Sequence, residues 1–175
     1  MVQSIWFVYL TSYLVLGLGY SLITAGQVFA VMQGTCIFGR IVFGWLGDNL
    51  ISGRTLLGLS LIFSTLATAL LGLAAAVESA WYVWAIAIIG GLGATSWTGV
   101  HLAETLRNTE IHQVYEATSG ILIAVGAGIA VGPLVFSLLL EFGSWSSNLF
   151  LIALLPLMGL WALGYSHAPK TAMPS

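Results

Sequence analysis

The sequence predicts an all-α integral membrane protein whose six transmembrane helices form one bundle. Three observations carry that expectation. The 175 residues are 59% hydrophobic and only 6% charged, with a mean hydropathy of +1.02. Soluble domains carry roughly 25% charged residues, so water is not the main solvent of this surface. Polar and turn residues cut the chain into six apolar spans, and the few charges fall in the gaps or near the span ends. Buried helices of a soluble protein would show a polar face at helical period, which these spans lack. Strands of a membrane barrel would be ~10 residues long and alternating, which they are not.

The first span covers residues 5–18, and the run 17–26 supplies a reversal. At about 1.5 Å per residue it is marginal for a ~30 Å hydrocarbon layer even when counted from Met1, and it reads as clipped at its amino end. Its start, Met1-Val2-Gln3-Ser4, lacks a basic region and no small-residue cleavage site follows. We therefore expect a retained helix rather than a signal peptide. The second to sixth spans cover 27–46, 55–77, 80–103, 117–140 and 147–165. Residues 1–166 form the expected bundle and 167–175 a tail.

Arg54, Arg107 and Lys170 follow the second, fourth and sixth spans, and Arg40 lies near the same end of the second. Glu78 and Glu141 occupy the opposite gaps, so the positive-inside rule puts both termini in the cytoplasm. A net charge of −2 with four basic residues leaves no footprint for nucleic acid. The single Cys36 permits no intrachain disulfide and no metal spacing exists. Phosphate loops, zinc-type His-Glu pairs and nucleophile elbows are missing, so neither an enzyme nor a cofactor is expected.

Glycine is the other organising residue, with 21 copies. Gly90, Gly91, Gly93 and Ala94, and then Gly120, Gly126, Gly128 and Gly132, offer small faces for close packing or for sliding. Gly132-Pro133 should interrupt the hydrogen-bond ladder and bend the fifth span.

Gly44-x-Leu46-x-Asp48 followed by Gly53-Arg54 resembles the cytoplasmic loop signature of the major facilitator superfamily of transporters. Asn49 and Thr55 depart from that signature, as do two extra residues before Gly53. Gly128-x-x-x-Gly132-Pro133 resembles a Gly-x-x-x-Gly-Pro element of some members. Residues 96–104 and 116–120 look like the fourth and fifth helices of the carboxy-terminal bundle in bacterial members. The resemblance implies the carboxy-terminal half of a twelve-helix carrier, a fold in which the first, second, fourth and fifth helices of a bundle line the cavity. Candidates there are Tyr9, Tyr13, Gln27 and Gln33, with Trp97 and His101 one helical turn apart. The other reading has Trp97 as packing and His101 at the cytoplasmic boundary, hydrogen-bonding a carbonyl.

A cytoplasmic gate of Arg40, Gly44, Asp48, Arg54 and Glu116 is implied by the same resemblance. Asp48 would use the helix dipole at the amino end of the fifth span, and Glu116 the same field or Arg40. The other reading is solvated charges worth ~0–1 kcal/mol a pair, and for Glu104, Arg107 and Glu110 it weighs at least equally. His112 reads as a loop residue and His167 as a tail residue. No acidic residue lies well inside a span, so no carboxylate proton relay is expected. The expected function is secondary active transport of a small solute, an organic anion by analogy, in a bacterial inner membrane. Its partners would be the bilayer, the solute, and an amino-terminal six-helix bundle or a second copy. The alternative is a non-transporting interaction or assembly module, or an inactive transporter fragment.

Overall fold

Serines set where the helices begin. Ser21, Ser52 and Ser144 each accept the backbone N–H three residues on, from Thr24 at 3.1 Å, Thr55 at 3.2 Å and Ser147 at 3.2 Å. Such a cap satisfies one of the first-turn N–H groups that a helix leaves without a partner. The computed structural model describes residues 1–77, 79–93, 99, 101, 105, 109 and 111–165. Helix α1 spans Val2–Ser12 and continues as a π-helical turn, Tyr13–Gly17. Then come α2 (Leu22–Asn49), α3 (Gly53–Leu73, with a 3-10 tail Ala74–Ala76) and α4 (Ala80–Gly93). A 3-10 turn, Ile111–Gln113, leads into α5 (Val114–Phe142), and α6 (Trp145–Tyr165) follows. No strand occurs among the described residues.

The fold is all-helical, and α2, α3 with its tail, α5 and α6 are long and apolar enough to cross a membrane. That suits a multi-pass membrane protein. Val2–Gly17 and Ala80–Gly93 are shorter, so four spans rather than six meet the length of a bilayer among the described residues. Beyond Gly93 the described positions 99, 101 and 105 are helical.

Two expected boundaries move. The reversal expected over 17–26 shrinks to 18–21, where Gly19 takes φ 74°, because the Ser21 cap starts α2 at Leu22. At the other end α2 runs on to Asn49, whose side chain donates to the Trp45 carbonyl at 2.9 Å. Gly44, Leu46 and Asp48 are therefore helical, and the turn is confined to 50–52. Hydropathy misses both extensions because polar residues can continue a helix where the bilayer ends.

The shortest long-range element is the most enclosed. Helix α1 places Trp6, Leu10, Tyr13 and Leu14 in a core shared with Val28 and Met32 of α2, Leu71 of α3, Ile86 of α4, Phe136 of α5 and Ile152 of α6. Three glycines of α4 seat three different helices. A methyl on Gly90 would strike the Trp6 ring of α1, and one on Gly91 would stand 2.5 Å from the Met32 carbonyl oxygen of α2. One on Gly93 would stand 2.5 Å from Phe63 Cβ of α3. These crossings need a hydrogen in place of a side chain. Beside them the Trp6 indole donates to Thr68 Oγ1 at 3.0 Å, and Thr68 donates to the Ser64 carbonyl at 2.8 Å. With no water to compete, this relay ties α1 to α3.

Candidate functional site

Two cavities flank the first turn of α1, and Gln3 stands in the wall of both. The larger, about 560 Å³, is bounded by His101 and Thr105, by Glu116, and by Gly120 and Gly128. His101 and Thr105 are one turn apart, and Thr105 Oγ1 donates to the His101 carbonyl at 2.9 Å. Thr109 repeats the pattern on the Thr105 carbonyl at 2.6 Å. Glu116 lies in the first turn of α5, where open N–H groups and the helix dipole favour a carboxylate. Gly120 and Gly128 are two turns apart on α5, and their missing side chains leave the space open. An imidazole, a carboxylate, a hydroxyl and an amide thus converge on one hollow. Such a set could hydrogen-bond a polar solute.

The smaller cavity, about 220 Å³, lies between α1, α3, α4 and α6. Ser60, Ser64 and Gln3 supply its polar groups, and Leu61, Leu155 and Pro156 its apolar ones. No charged side chain lines it among the described residues.

The other expected residues distribute unevenly. The Tyr9 hydroxyl donates to the Pro133 carbonyl at 3.0 Å, and its ring lies 4.9 Å from Phe136. Tyr13 is buried with its ring 5.3 Å from Trp145, and its hydroxyl has Ser146 and the Ala75 backbone as polar neighbours without a well-formed hydrogen bond. Both tyrosines pack the α1–α5–α6 seam and neither lines the two cavities. Gln27 is exposed on α2 and Gln33 half-buried, also outside both walls. Trp97 lies outside the described residues, as do Glu78, Ala94, Glu104, Arg107, Glu110, His167 and Lys170.

Arg40, Gly44 and Asp48 stand four residues apart on one exposed face of α2. Arg54, in the first turn of α3, donates from its guanidinium to the Leu163 carbonyl in the last turn of α6. A cation on free carbonyls at a helix carboxyl end is favourable in charge and in hydrogen bonding. Arg54 thereby fastens α3 to α6, and Glu116 joins His101 at the larger cavity. His112 is exposed in the 3-10 turn before α5.

Gly128 and Gly132 meet the start of α1, where a methyl on Gly132 would strike Ser4 Oγ. Helix α5 runs through Pro133 as one helix. Proline lacks the N–H that Ile129 would use, and α1 touches α5 on either side of that carbonyl, through Tyr9 on the Pro133 carbonyl and Ser4 Oγ, 3.4 Å from the Gly128 carbonyl. Gly120 and Gly126 have nothing within reach of an added methyl.

Sequence reasoning passed over Gln3, Ser60, Ser64 and Thr105. A signal existed for two of them, because Ser60, Ser64 and Thr68 recur every fourth residue in an otherwise apolar span. No known protein family, curated protein or solved structure matches the chain. The likeness to the facilitator superfamily therefore rests on the motif residues alone.

Proposed function

We propose that this chain is the carboxy-terminal half of a facilitator-type secondary transporter, carrying a small organic solute by alternating access in a bacterial inner membrane. The observation that carries this reading is the 560 Å³ hollow lined by His101, Thr105 and Glu116 together with residues of α1 and α5. Those residues lie in or beside the first, fourth and fifth of the expected spans, three of the four that the resemblance assigns to a solute cavity. Four helices able to cross a membrane supply the setting. A cavity near the midplane between two rocking bundles is the usual architecture of such carriers. One bundle supplies half of it, so a partner bundle or a second copy completes the pathway. The positive-inside pattern orients both termini to the cytoplasm.

Uptake by liposomes holding this chain together with a second six-helix chain tests the reading. Glu116→Gln and His101→Ala should each lower uptake of a transported solute at least about tenfold, the scale of one lost hydrogen bond to a charged group. Uptake that is equal in both variants and the unmodified chain would remove the hollow from the pathway.

A further inference from the structure

We propose that the groove between α3 and α6 holds one acyl chain of a bilayer phospholipid, reaching in from the end where α6 begins. The groove has a volume of about 450 Å³ and is lined by Thr65 and Ala69 of α3 and by residues of α6 from Ser147 to Leu157. Two close approaches of the helices bound it. A methyl on Gly72 of α3 would lie 3.3 Å from the Ser146 carbonyl oxygen and 3.4 Å from the Phe150 ring of α6. At the other end, a methyl on Gly159 of α6 would lie 3.4 Å from the Leu61 side chain of α3. Between those contacts Thr65, Ala69 and Ala153 are small, and neither helix fills the space they leave.

The groove asks for no polar partner. Thr65 Oγ1 donates to the Leu61 carbonyl at 2.9 Å and Ser147 Oγ to the Ser144 carbonyl at 3.0 Å, so both hydroxyls in its wall are already bonded locally. No charged side chain lines it among the described residues. Leu151, Leu154 and Leu157 form a half-exposed apolar rim. Such a hollow holds no water, and left empty its walls forfeit dispersion contacts.

Depth selects the occupant. Helices α3 and α6 are both long and apolar enough to cross a membrane. Ser144 and Ser147 are exposed at the start of α6, where polar groups suit the membrane interface. From Ser147 to Leu157 the groove follows α6 for about 15 Å, at 1.5 Å per residue. That is half of a ~30 Å hydrocarbon layer, the share of one leaflet. A helix of a second chain crosses the whole layer and needs a seam of that length, whereas Leu61 closes this one at Gly159. An acyl chain enters at the interface and ends near the midplane, as the groove does.

The test uses the purified full chain, reconstituted in nanodiscs of palmitoyl-oleoyl phosphatidylcholine, moved into mild detergent and weighed intact by native mass spectrometry. The unmodified chain should keep the added mass of a phospholipid. Ala69→Phe, which plugs the groove, should lose most of that adduct, and Leu138→Phe, on an exposed face of α5, should keep it. Should Ala69→Phe not fold, Thr65→Leu, a smaller plug on the same wall, is read in its place. No adduct on the unmodified chain, an undiminished adduct on the plugged variant, or equal loss in Leu138→Phe would each overturn the proposal. A free fatty acid in place of the phospholipid would overturn it as well. So would a disulfide dimer through Leu154→Cys in a Cys36→Ser background, which would put a second copy over the groove. Lipid retention needs no transport, so its failure leaves the larger hollow untouched, and unchanged uptake in Glu116→Gln leaves this groove untouched.

Discussion

Helices α1 and α5 invert each other. The first, extended by its π turn, is 16 residues long, and its core includes the fully enclosed Trp6, Tyr13 and Leu14. The second is 29 residues long and the most apolar of the four candidate spans, yet only Gly132 and Phe136 are buried. In water that ordering would be unstable, because the most apolar helix would be driven inward. In lipid, apolar side chains gain little by burial, so packing shape and polar pairing decide which helix goes to the centre. Trp6 with its indole bond to Thr68 belongs inside, and Leu122, Ile123 and Leu134 of α5 remain exposed.

The sharpest way to break this comparison is to truncate one side chain on each helix. Trp6→Ala should cost about 3–5 kcal/mol, through the cavity it leaves and the Thr68 hydroxyl it deprives of a donor. Leu134→Ala, at a position 66% exposed, should change stability by no more than about 0.5 kcal/mol. Reversible unfolding in mixed detergent measures both. Equal losses would mean that α5 is covered by protein after all.

Glycines give the next largest contrast. Gly90→Ala forces a methyl into the Trp6 ring and should destabilise by about 1–3 kcal/mol. Gly126→Ala meets open space and should be neutral or stabilise by up to about 1 kcal/mol through helix propensity. The same unfolding assay reads both, and a costly Gly126→Ala would reveal a tight neighbour on α5.

Tyr9→Phe is subtler. It removes the bond to the Pro133 carbonyl while keeping the ring against Phe136, for an expected loss of about 1 kcal/mol. Amide exchange around residues 129–137 should quicken. Unchanged protection there would show that α5 holds its proline turn without help from α1.

The smallest effect belongs to Arg54→Gln, which releases the Leu163 carbonyl at an exposed helix end. A loss of about 0.3–1 kcal/mol is expected, with faster exchange confined to the last turn of α6. Faster exchange across α5 instead would make Arg54 part of a gate rather than a fastening between α3 and α6.

Much of the architecture was legible beforehand. The third and sixth spans were placed to within a few residues, since Ser52 and Ser144 cap them and the apolar runs end where the helices end. The second span was underestimated because the caps and polar ends that extend a helix carry little hydropathy, as Ser21 and Asn49 show. Of the expected cavity residues, His101 lines the larger hollow, while Tyr9 and Tyr13 turn to the α1–α5–α6 seam. The i, i+4 spacing put Trp97 and His101 on one helical face but did not say what stood opposite it.

What the sequence determined by itself is local: long apolar spans of helical character and a surface made for lipid. Each follows from residues within a few positions of one another. What only the tertiary structure decided is partnership. Gly90, Gly91 and Gly93 read alike in sequence, yet each admits a different helix. Ser60, Thr65 and Thr68 are all hydroxyls on one span, yet only Ser60 opens unbonded onto a chamber. A small side chain or a lone hydroxyl carries no address, and its meaning comes from the helix that crosses it.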